Sequence, residues 1–315
     1  MALMRIIFCG TPEFAVPSLK RLIAHPEFSV EAVITQPDRP RGRGQHISSS
    51  PVKQAAAEAG LDVYQPEKIK SESSQDFLQR NEPDAVVIIA YGQIIPARLL
   101  AIPRLGWINL HASLLPRYRG AAPIHWAIAN GEKFTGLTTM QIDAGMDTGP
   151  ILLQHEMAIG PEETSPELSA RMSEAGGDLL LETLLQLNRG EIAPVPQDSS
   201  KATYAPILKK EDGRIDWKQM AQSIYDRMRG FTPWPGAHTT FRGQSCHLAG
   251  RPESAGAAGN GILPGAIVSS TKEMYVVCGE GTCLRVDSVQ LEGRKRVSAH
   301  EFINGARLTA TDRFE

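Results

Sequence analysis

The sequence predicts a doubly wound α/β domain with a mostly parallel sheet, followed by a small β-barrel domain. Over the first 190 residues, short apolar strands alternate with amphipathic helices, which is the pattern of a parallel sheet covered by helices. The strand DAVVIIA at residues 84–90 is apolar throughout, as expected of a strand that is buried on both faces. After residue 208, short strands separated by turn residues favour a small barrel.

The elements of the front domain follow from apolar spacing and from residues that mark helix boundaries. Ser50 and Pro51 indicate the start of one helix, and Thr164 with Glu167 matches the spacing of a capping box. Residues 36–49 are interpreted as a polar loop. The predicted strands are 4–10, 30–35, 84–90, 106–111 and 135–143, and the predicted helices are 14–25, 50–60, 122–131 and 164–190.

The back of the chain begins with a change in composition. Residues 191–207 hold three prolines and small polar residues without a helical period, which is typical of a linker. We therefore expect domains at 1–190 and 208–315. The predicted elements of the second domain are a helix at 216–231 with an apolar stripe of Trp217, Met220, Ile224 and Met228, strands at 238–243, 265–270, 273–279 and 283–291, and a closing helix at 298–308.

Bulk composition excludes several classes of protein. The net charge of −2 excludes a generally basic nucleic-acid coat, although a local basic surface stays open. We find neither a signal peptide nor an apolar run long enough to span a bilayer, so a cytoplasmic protein without a membrane partner is expected. The cysteines lack the spacing of a disulfide framework or a zinc site, and we expect buried, reduced thiols. They are Cys9, Cys246, Cys278 and Cys283.

The first strand ends where a dinucleotide fingerprint would begin. It offers Gly10 alone, and Pro12 and Glu13 stand where the G-x-G-x-x-G pattern needs glycines. A pyrophosphate would meet a carboxylate there and would lack backbone donors. A nicotinamide cofactor is therefore not expected.

An amide and an imidazole close the strand GWINLH. Asn109 and His111 are two residues apart, so in extended chain they share a face, while Ile108 and Leu110 face the core. Ligand crevices of open α/β sheets lie at such strand ends. Asn can donate to a developing oxyanion and His can transfer a proton. The alternative is a core histidine with satisfied hydrogen bonds.

A second polar group follows the next strand, in the segment MQIDAGMDTGPI. Asp143 and Asp147 lie there among glycines, a composition that is also common in plain turns. Because the strand belongs to the same predicted sheet, Asp147 is expected near His111, where its carboxylate would orient the ring. A metal site formed by His111, Asp143 and Asp147 is disfavoured, because this set does not include a third strong ligand at a fixed spacing from the others.

Two basic segments have both a functional and an ordinary interpretation. SLLPRYRGAAP places Arg117 and Arg119 on the rim of a rigid wall, or on an ordinary surface loop. TQPDRPRGRG alternates Arg39, Arg41 and Arg43 with proline and glycine. Such a loop can drape over phosphates, or it can be a solvated mobile loop.

Several of these motifs together resemble the formyltransferases that use 10-formyltetrahydrofolate. Asn109-x-His111, the following Ser-Leu-Leu-Pro and Asp147 in DAGMDTG agree with that family in order and spacing. Over the whole chain, the resemblance is to the branch of the family that acts on methionyl-tRNA. Its segments are IIFCGTPEFA, TQPDRPRGRG, SPVKQAA, VIIAYGQIIP, SLLPRYRGAAPI, DTGPIL, RIDW and FTPWPGA.

The resemblance implies a Rossmann-like formyltransferase domain and a carboxyl-terminal barrel of the OB type that helps to hold initiator methionyl-tRNA. It implies that Asn109 and protonated His111 stabilise a tetrahedral oxyanion, that Asp147 orients His111, and that no metal takes part. The tRNA acceptor end would meet Arg41, Gly42 and Arg43. The folate site would include Ser113, Leu114, Leu115, Pro116, Tyr91, Gly92 and Asp143.

The sequence departs from the family pattern at two positions, and it leaves alternative functions open. Ala112 stands where the family often has glycine, and Arg41 adds a charge to its loop. The alternatives are a formyltransferase that acts on a small amine or amino sugar, a non-catalytic RNA-binding module, and a folate hydrolase. We expect a monomer without an obligate protein partner.

Overall fold

The computed structural model describes residues 3–41, 46–253, 262–270, 272–309 and 311–315. The chain forms two compact units. The first comprises Met1–Pro123, Phe134–Ala158 and Leu168–Pro206, and the second comprises Ile124–Lys133, Ile159–Glu167 and Ile207–Glu315. Residues 191–206, which composition predicts to be a linker, lie within the first unit.

The first unit is built on one large sheet and a separate short hairpin. Its strands are β1 Met4–Gly10, β2 Phe28–Ile34, β3 Arg39–Arg41, β4 His46–Ser48, β5 Val63–Tyr64, β6 Ala85–Ile89, β7 Trp107–His111, β8 Phe134–Gln141 and β9 Ile151–Ala158. Seven of them form the sheet, in the order β5-β2-β1-β6-β7-β8-β9, while β3 pairs only with β4.

Strand direction confirms the predicted mostly parallel sheet. β1 pairs in parallel with β2 and β6, β2 with β5, and β6 with β7. Within the seven-stranded sheet, β8 pairs in antiparallel fashion with β7 on one side and with β9 on the other. Because the strand order reverses at β1, a crevice is expected outside the carboxyl ends of β1 and β6. The end of β7 lies beside that crevice.

Helix boundaries follow the predicted capping residues. The Ser50 side chain accepts a hydrogen bond from the Lys53 backbone N–H, and Thr164 donates from its backbone and its hydroxyl to Glu167. Both contacts satisfy groups that a helix start leaves unpaired. The helices up to residue 189 are α1 Val16–Ala24, α2 Pro51–Glu58, α3 Glu72–Asn81, α4 Ala97–Leu100, α5 Pro123–Ala129 and α6 Ser165–Arg189.

Some elements of this region were not predicted from the sequence. Helix α3 and strands β5 and β9 were missed, and the segment interpreted as a polar loop contains the β3–β4 hairpin. β9 is an edge strand with exposed residues in its middle, so its sequence lacks the apolar alternation of a half-buried strand. The sheet is therefore wider than the sequence indicated.

The second unit is built on an antiparallel sheet, and residues 124–129 of α5 belong to it as well. From residue 207 onward, the chain closes this sheet into a small barrel. Its elements are α7 Ala221–Gly230, β10 His238–Phe241, β11 Gln244–Glu253, β12 Ile267–Ser269, β13 Met274–Val277, β14 Cys283–Leu291, β15 Val297–Ser298 and α8 Ala299–Ala306. The strand order is β10-β11-β14-β13-β12, with β15 on β14. Phe314 bridges to Phe241 and Arg313 to Ala266, so the last residues connect the two edges of the sheet.

Helix α7 is shorter than the sequence predicted. α7 begins at Ala221 rather than at Asp216, because the Asp216 carboxylate accepts from the Lys218 N–H and favours a turn over a helix. Met220, predicted on the apolar stripe, is 41% exposed, whereas Ile224 is buried. The helix therefore contributes a narrower apolar face to the core.

All four cysteines are free and buried, as predicted. Burial raises the pKa of Cys9 well above its usual value and the pKa of Cys246 and Cys278 to about 12. Thiols with raised pKa are poor nucleophiles at neutral pH. Within the described ranges, no helix combines the length and apolar character that a bilayer crossing requires.

Candidate active site

The end of β7 carries an amide and an imidazole on one face. Asn109 and His111 alternate with Ile108 and Leu110, which are buried on the opposite face. Asn109 is half-buried, and in the described part of the chain its side-chain amide has no hydrogen-bond partner. The amide is not among the fully buried side-chain atoms that lack a partner, so it is accessible to solvent and available to a ligand.

The His111 ring is held from one side. It is 6% exposed, and its Nε2 lies 3.0 Å from the carbonyl oxygen of Tyr118. A carbonyl can only accept, so Nε2 carries the hydrogen. The other ring nitrogen, Nδ1, lies 3.7 Å from Oδ1 of Asp147. That distance is too long for a direct hydrogen bond, and catalytic contacts often tighten only when substrate is present.

Asp147 faces His111 with one carboxylate oxygen and is anchored through the other. Its Oδ2 accepts a hydrogen bond of 2.8 Å from the backbone N–H of Gly120, which leaves Oδ1 for the imidazole. The residue has φ of +52°, a left-handed conformation that aspartate tolerates better than most residues. The predicted proximity of Asp147 to His111 is thus present.

Asp143 has a different place from its partner in the sequence motif. It is exposed, and its Oδ1 accepts from the Gly145 N–H at 2.9 Å and from the Thr148 hydroxyl at 2.7 Å. These contacts fold the loop that carries Asp147. Among the described residues, no cluster of three His, Cys, Asp or Glu side chains could hold a metal ion.

The segment that follows β7 forms a firm wall. Ser113 is fully buried, and its hydroxyl donates to the Arg117 carbonyl at 2.6 Å. The Leu115 side chain is also buried, while its N–H donates to the Thr138 hydroxyl at 3.1 Å. Leu114 and Pro116 are partly exposed. These last two side chains are therefore the ones in the Ser-Leu-Leu-Pro motif with surface to offer a ligand.

Tyr91 and Gly92 follow β6, at the predicted crevice. The Tyr91 side chain is 2% exposed and packs in the core, and its hydroxyl has no partner among the described residues. Burial raises the pKa of Tyr91. Its carbonyl accepts from Gln36 Nε2 at 2.9 Å, while Gly92 is exposed with φ of +85°. A ligand can reach backbone here, but not the phenol.

One prediction about the wall is wrong. Arg119 was interpreted as part of a basic rim, yet it is only 3% exposed. Its guanidinium donates to the Gln197 amide oxygen from Nε at 3.1 Å and from Nη2 at 2.7 Å. Gln197 was not singled out by sequence reasoning, because it lies 78 positions away in a segment with the composition of a linker.

The arginine loop is described in part. Arg41 ends β3 and only its backbone is described, while Gly42 and Arg43 lie outside the described residues. The acidic residue of the loop, Asp38, pairs with Lys53 Nζ at 2.5 Å. This hydrogen bond holds the pKa of Asp38 below its usual value. The only carboxylate near the arginines in sequence is therefore already compensated by a lysine.

A cavity of about 470 Å³ lies in the second unit, where Arg214, Asp226 and Arg227 are among its lining residues. None of the sequence-predicted site residues lines it. Its charged groups include both signs, and it lacks an amide and an imidazole side by side. The end of β7 is therefore the candidate active site.

The chain matches two models of known protein domains, which together cover most of its length. The family model described as formyl transferase matches residues 4–184, and the model described as formyl transferase, C-terminal domain, matches residues 207–307. A methionyl-tRNA formyltransferase of Solibacter usitatus is 53% identical over 98% of both chains. One of Koribacter versatilis is 51% identical, also over 98% of both chains.

Solved structures with a similar fold are more distant in sequence. WlaRD, a sugar 3N-formyltransferase crystallised in the presence of dTDP and 5-N-formyl-THF, has a TM-score of 0.66 at 18% identity, covering 94% of this chain and 100% of its own. An N-formyltransferase from Helicobacter canadensis has a TM-score of 0.65 at 16% identity, covering 90% and 99%. At such identities the likeness extends to the fold alone.

Proposed function

The chain belongs to the formyl transferase family, and from that premise we propose how its residues carry out formyl transfer to initiator tRNA. The enzyme transfers the formyl group of 10-formyltetrahydrofolate to the α-amine of methionine on initiator methionyl-tRNA, which gives formylmethionyl-tRNA for translation initiation. Relatives named methionyl-tRNA formyltransferase are identical to this chain at about half of their residues, over nearly its full length. That similarity favours tRNA over a small amine or amino sugar.

The observation that carries the catalytic assignment is the unpaired amide of Asn109 beside His111 and Asp147. A polar side chain that is half-buried without a protein partner is a donor held ready for a ligand. The imidazole on the same face is fixed through Nε2 and leaves Nδ1 towards the carboxylate. An amide, an imidazole and a carboxylate in this order can stabilise an oxyanion and move a proton.

The proposed reaction uses these three side chains, the two substrates and a bound water molecule. The amine nitrogen of methionine attacks the formyl carbon on N10 of the folate, and the formyl oxygen becomes an oxyanion. Asn109 Nδ2 donates to that oxygen. The positive charge of protonated His111 stabilises it as well, while Nε2 donates to the Tyr118 carbonyl and Nδ1 faces Asp147. Asp147 orients His111 and helps to pass the amine proton, through water, to N10. The C–N10 bond then breaks, and tetrahydrofolate leaves with N10 protonated.

The folate site is proposed in the crevice outside the carboxyl ends of β1 and β6, beside the end of β7. The partly exposed Leu114 and Pro116 supply apolar surface, while Ser113 and Leu115 act by fixing that wall. The exposed backbone at Gly92 supplies polar groups for the pterin, and Tyr91 contributes its main chain only. Asp143 acts by closing the loop that presents Asp147.

We propose that the tRNA is held by two parts of the chain. The acceptor end of the tRNA contacts Arg41, Gly42 and Arg43. The domain at 208–315 binds the body of the tRNA, and the domain at 1–190 is the catalytic domain. The compensated carboxylate of Asp38 supports the first assignment, because it leaves the arginine charge available to phosphates. A cytoplasmic location and the absence of an obligate protein partner are further parts of this proposal.

The first experiment is a formylation assay with 10-formyltetrahydrofolate and methionine-charged initiator tRNA, with elongator tRNA as the control. Transfer to the initiator alone is expected. Turnover with an amino sugar but with neither tRNA would overturn the substrate assignment. Release of formate without an acceptor would point to a hydrolase instead.

The arginine loop has its own test. Arg43→Ala is expected to raise the Michaelis constant for tRNA and to leave the one for folate unchanged, because phosphate contacts act on nucleic acid alone. Arg80→Ala, at an exposed position of α3, is the matched control. An unchanged tRNA Michaelis constant and turnover in Arg43→Ala would remove the loop from the tRNA site.

A further inference from the structure

Residues 191–206 form a strap across the loops that carry the catalytic groups. Val195 exchanges two backbone hydrogen bonds of 2.8 Å with Ile151, at the start of β9. The Arg119 N–H donates to the Thr203 carbonyl at 2.9 Å, and the Ala205 N–H donates to the Arg119 carbonyl at 2.8 Å. The strap is thus hydrogen-bonded both to the loop after β7 and to the strand after the Asp147 loop.

Gln197 is the point where the strap meets the Asp147 loop. Its side-chain Nε2 donates to the carbonyl of Asp147 at 2.9 Å and to the carbonyl of Gly149 at 2.7 Å. The two donor hydrogens of the amide match these two acceptors. The amide oxygen faces the other way and accepts from Arg119. One side chain therefore connects the loop after β7 with the loop after β8.

Arg119 orients that amide. A guanidinium can only donate, so it selects the oxygen of Gln197 and turns the NH₂ group towards the carbonyls. Among the described residues, Arg119 forms no ion pair, and its side-chain partners are Gln197 and, at 3.5 Å, the Ser199 hydroxyl. A buried cation usually has a carboxylate partner. A glutamate at position 197 would supply one, but it could not donate to the carbonyls.

Gln197 contacts Asp147, which has a left-handed backbone conformation and whose carboxylate faces His111. Asp147 has φ of +52°, which persists in non-glycine residues when their surroundings fix it. The hydrogen bond from Gln197 holds the carbonyl of that residue, and the Gly120 N–H holds its carboxylate. Together they fix both ends of Asp147, and with them the direction of Oδ1 towards His111.

We propose that Gln197, oriented by Arg119, is a positioning residue for Asp147. Its two donor hydrogens keep the Asp147 loop in the conformation that presents the carboxylate to His111. The strap thereby forms part of the catalytic apparatus. This inference rests on the catalytic role proposed for Asp147.

The test is the isosteric substitution Gln197→Glu, which keeps the size of the side chain and gives Arg119 a carboxylate partner. The fold should therefore keep its melting temperature. The two donors are lost and a negative charge faces two carbonyl oxygens, so kcat should fall about 10- to 100-fold, as small displacements of catalytic groups do. The Michaelis constants for folate and tRNA should change little, because neither substrate is held by this amide.

The matched control is Gln54→Glu, since the Gln54 amide also donates to a backbone carbonyl, that of Ser49, on an exposed helix position. It should leave kcat unchanged. If Gln197→Glu keeps the kcat of the parent while Asp147→Ala loses activity, the positioning role is wrong and the role of Asp147 stands. If Asp147→Ala itself keeps full activity, the proposed mechanism fails, and the positioning role fails with it.

A double substitution separates positioning from any independent effect. If Gln197 acts through Asp147, then adding Gln197→Glu to Asp147→Ala should cost nothing further in kcat. Full additivity of the two losses would overturn the proposal, because Gln197 would then be acting on another group.

Discussion

The polar side chains at the candidate site of the first unit and in the core of the second unit are paired differently. In the first unit, Asn109 has no partner in the described part of the chain, and a gap of 3.7 Å separates His111 from Asp147. In the second unit, the buried side chains of Asp226 and Arg229 meet at 2.6 Å. Arg229 also donates to the carbonyls of Gly160 and Glu163, and only its Nε lacks a partner.

The difference distinguishes a candidate site that is open to a ligand from a buried ion pair that the protein satisfies internally. A hydrogen-bond donor that the protein leaves unpaired at a strand end is available to stabilise a transition state. Bonding capacity that the protein satisfies internally contributes to stability or to a unique fold. The comparison predicts that polar substitutions in the first unit reduce turnover, whereas polar substitutions in the second unit reduce stability.

The largest effect on stability is expected from Asp226→Leu. It leaves Arg229 buried and without its carboxylate, which typically costs about 3–5 kcal/mol of unfolding free energy. Chemical denaturation followed by tryptophan fluorescence measures the loss. Asp287→Leu is the control, because it breaks an ion pair with Arg251 in which both side chains are at least 40% exposed. The control should cost much less, because exposed ion pairs contribute little to stability, and equal losses would contradict the distinction between the units.

The largest effect on turnover is expected from Asn109→Ala. Removal of one oxyanion donor typically lowers kcat by roughly 10²–10³-fold, while the unfolding free energy should hardly change, because the amide has no protein partner to lose. Steady-state kinetics and thermal unfolding are measured together. Asn188→Ala, which removes an exposed contact with Arg104, should leave both unchanged. A stable Asn109→Ala variant with normal kcat would show that the open amide is not part of the reaction.

The sequence predicted those parts of the fold and the site that depend on local periodicity. Alternation along GWINLH places Asn109 and His111 on one face, and sheet adjacency brings the loop after β8 towards them. β11 was missed because its buried face is made by Cys246, Leu248 and Gly250, of which only one is a large apolar residue. The strand therefore lacks the pattern that indicates burial.

The contacts of the strap could not be predicted for a different reason. Proline and small polar residues indicate the absence of regular structure, but they do not indicate where a segment is hydrogen-bonded. Arg119 and Gln197 meet across 78 positions, and neither lies in a motif with a fixed spacing. Burial of a lone arginine is visible only in three dimensions, because arginine is usually exposed.

A smaller effect is expected from Tyr91→Phe, which sharpens the comparison within the first unit. The Tyr91 hydroxyl is buried without a partner among the described residues, so its removal should be neutral or should stabilise the protein by about 1 kcal/mol. The Michaelis constant for folate should be unchanged, because only the backbone is offered to the pterin. A raised folate constant with normal stability would mean that the hydroxyl contacts the ligand.

The smallest effect concerns Asp312, which helps to close the barrel of the second unit. Its carboxylate accepts from Arg242 Nε at 2.7 Å and from the Thr309 N–H at 2.7 Å, and the bond from Arg242 holds the pKa of Asp312 well below its usual value. A carboxylate whose pKa is lowered by folding stabilises the protein at pH values above its pKa in the unfolded chain, near 4. This stabilisation is lost as the pH falls through its pKa in the folded protein.

Asp312→Asn should therefore destabilise the second unit at pH 7, and its difference in stability from the parent should shrink below about pH 4. Thr311→Ala is the control, because loss of an exposed neutral group gives a difference that does not depend on pH. Denaturation midpoints at pH 7 and pH 3 decide the matter, and a difference for Asp312→Asn that stays constant across this range would mean that the ion pair with Arg242 does not stabilise the closed barrel.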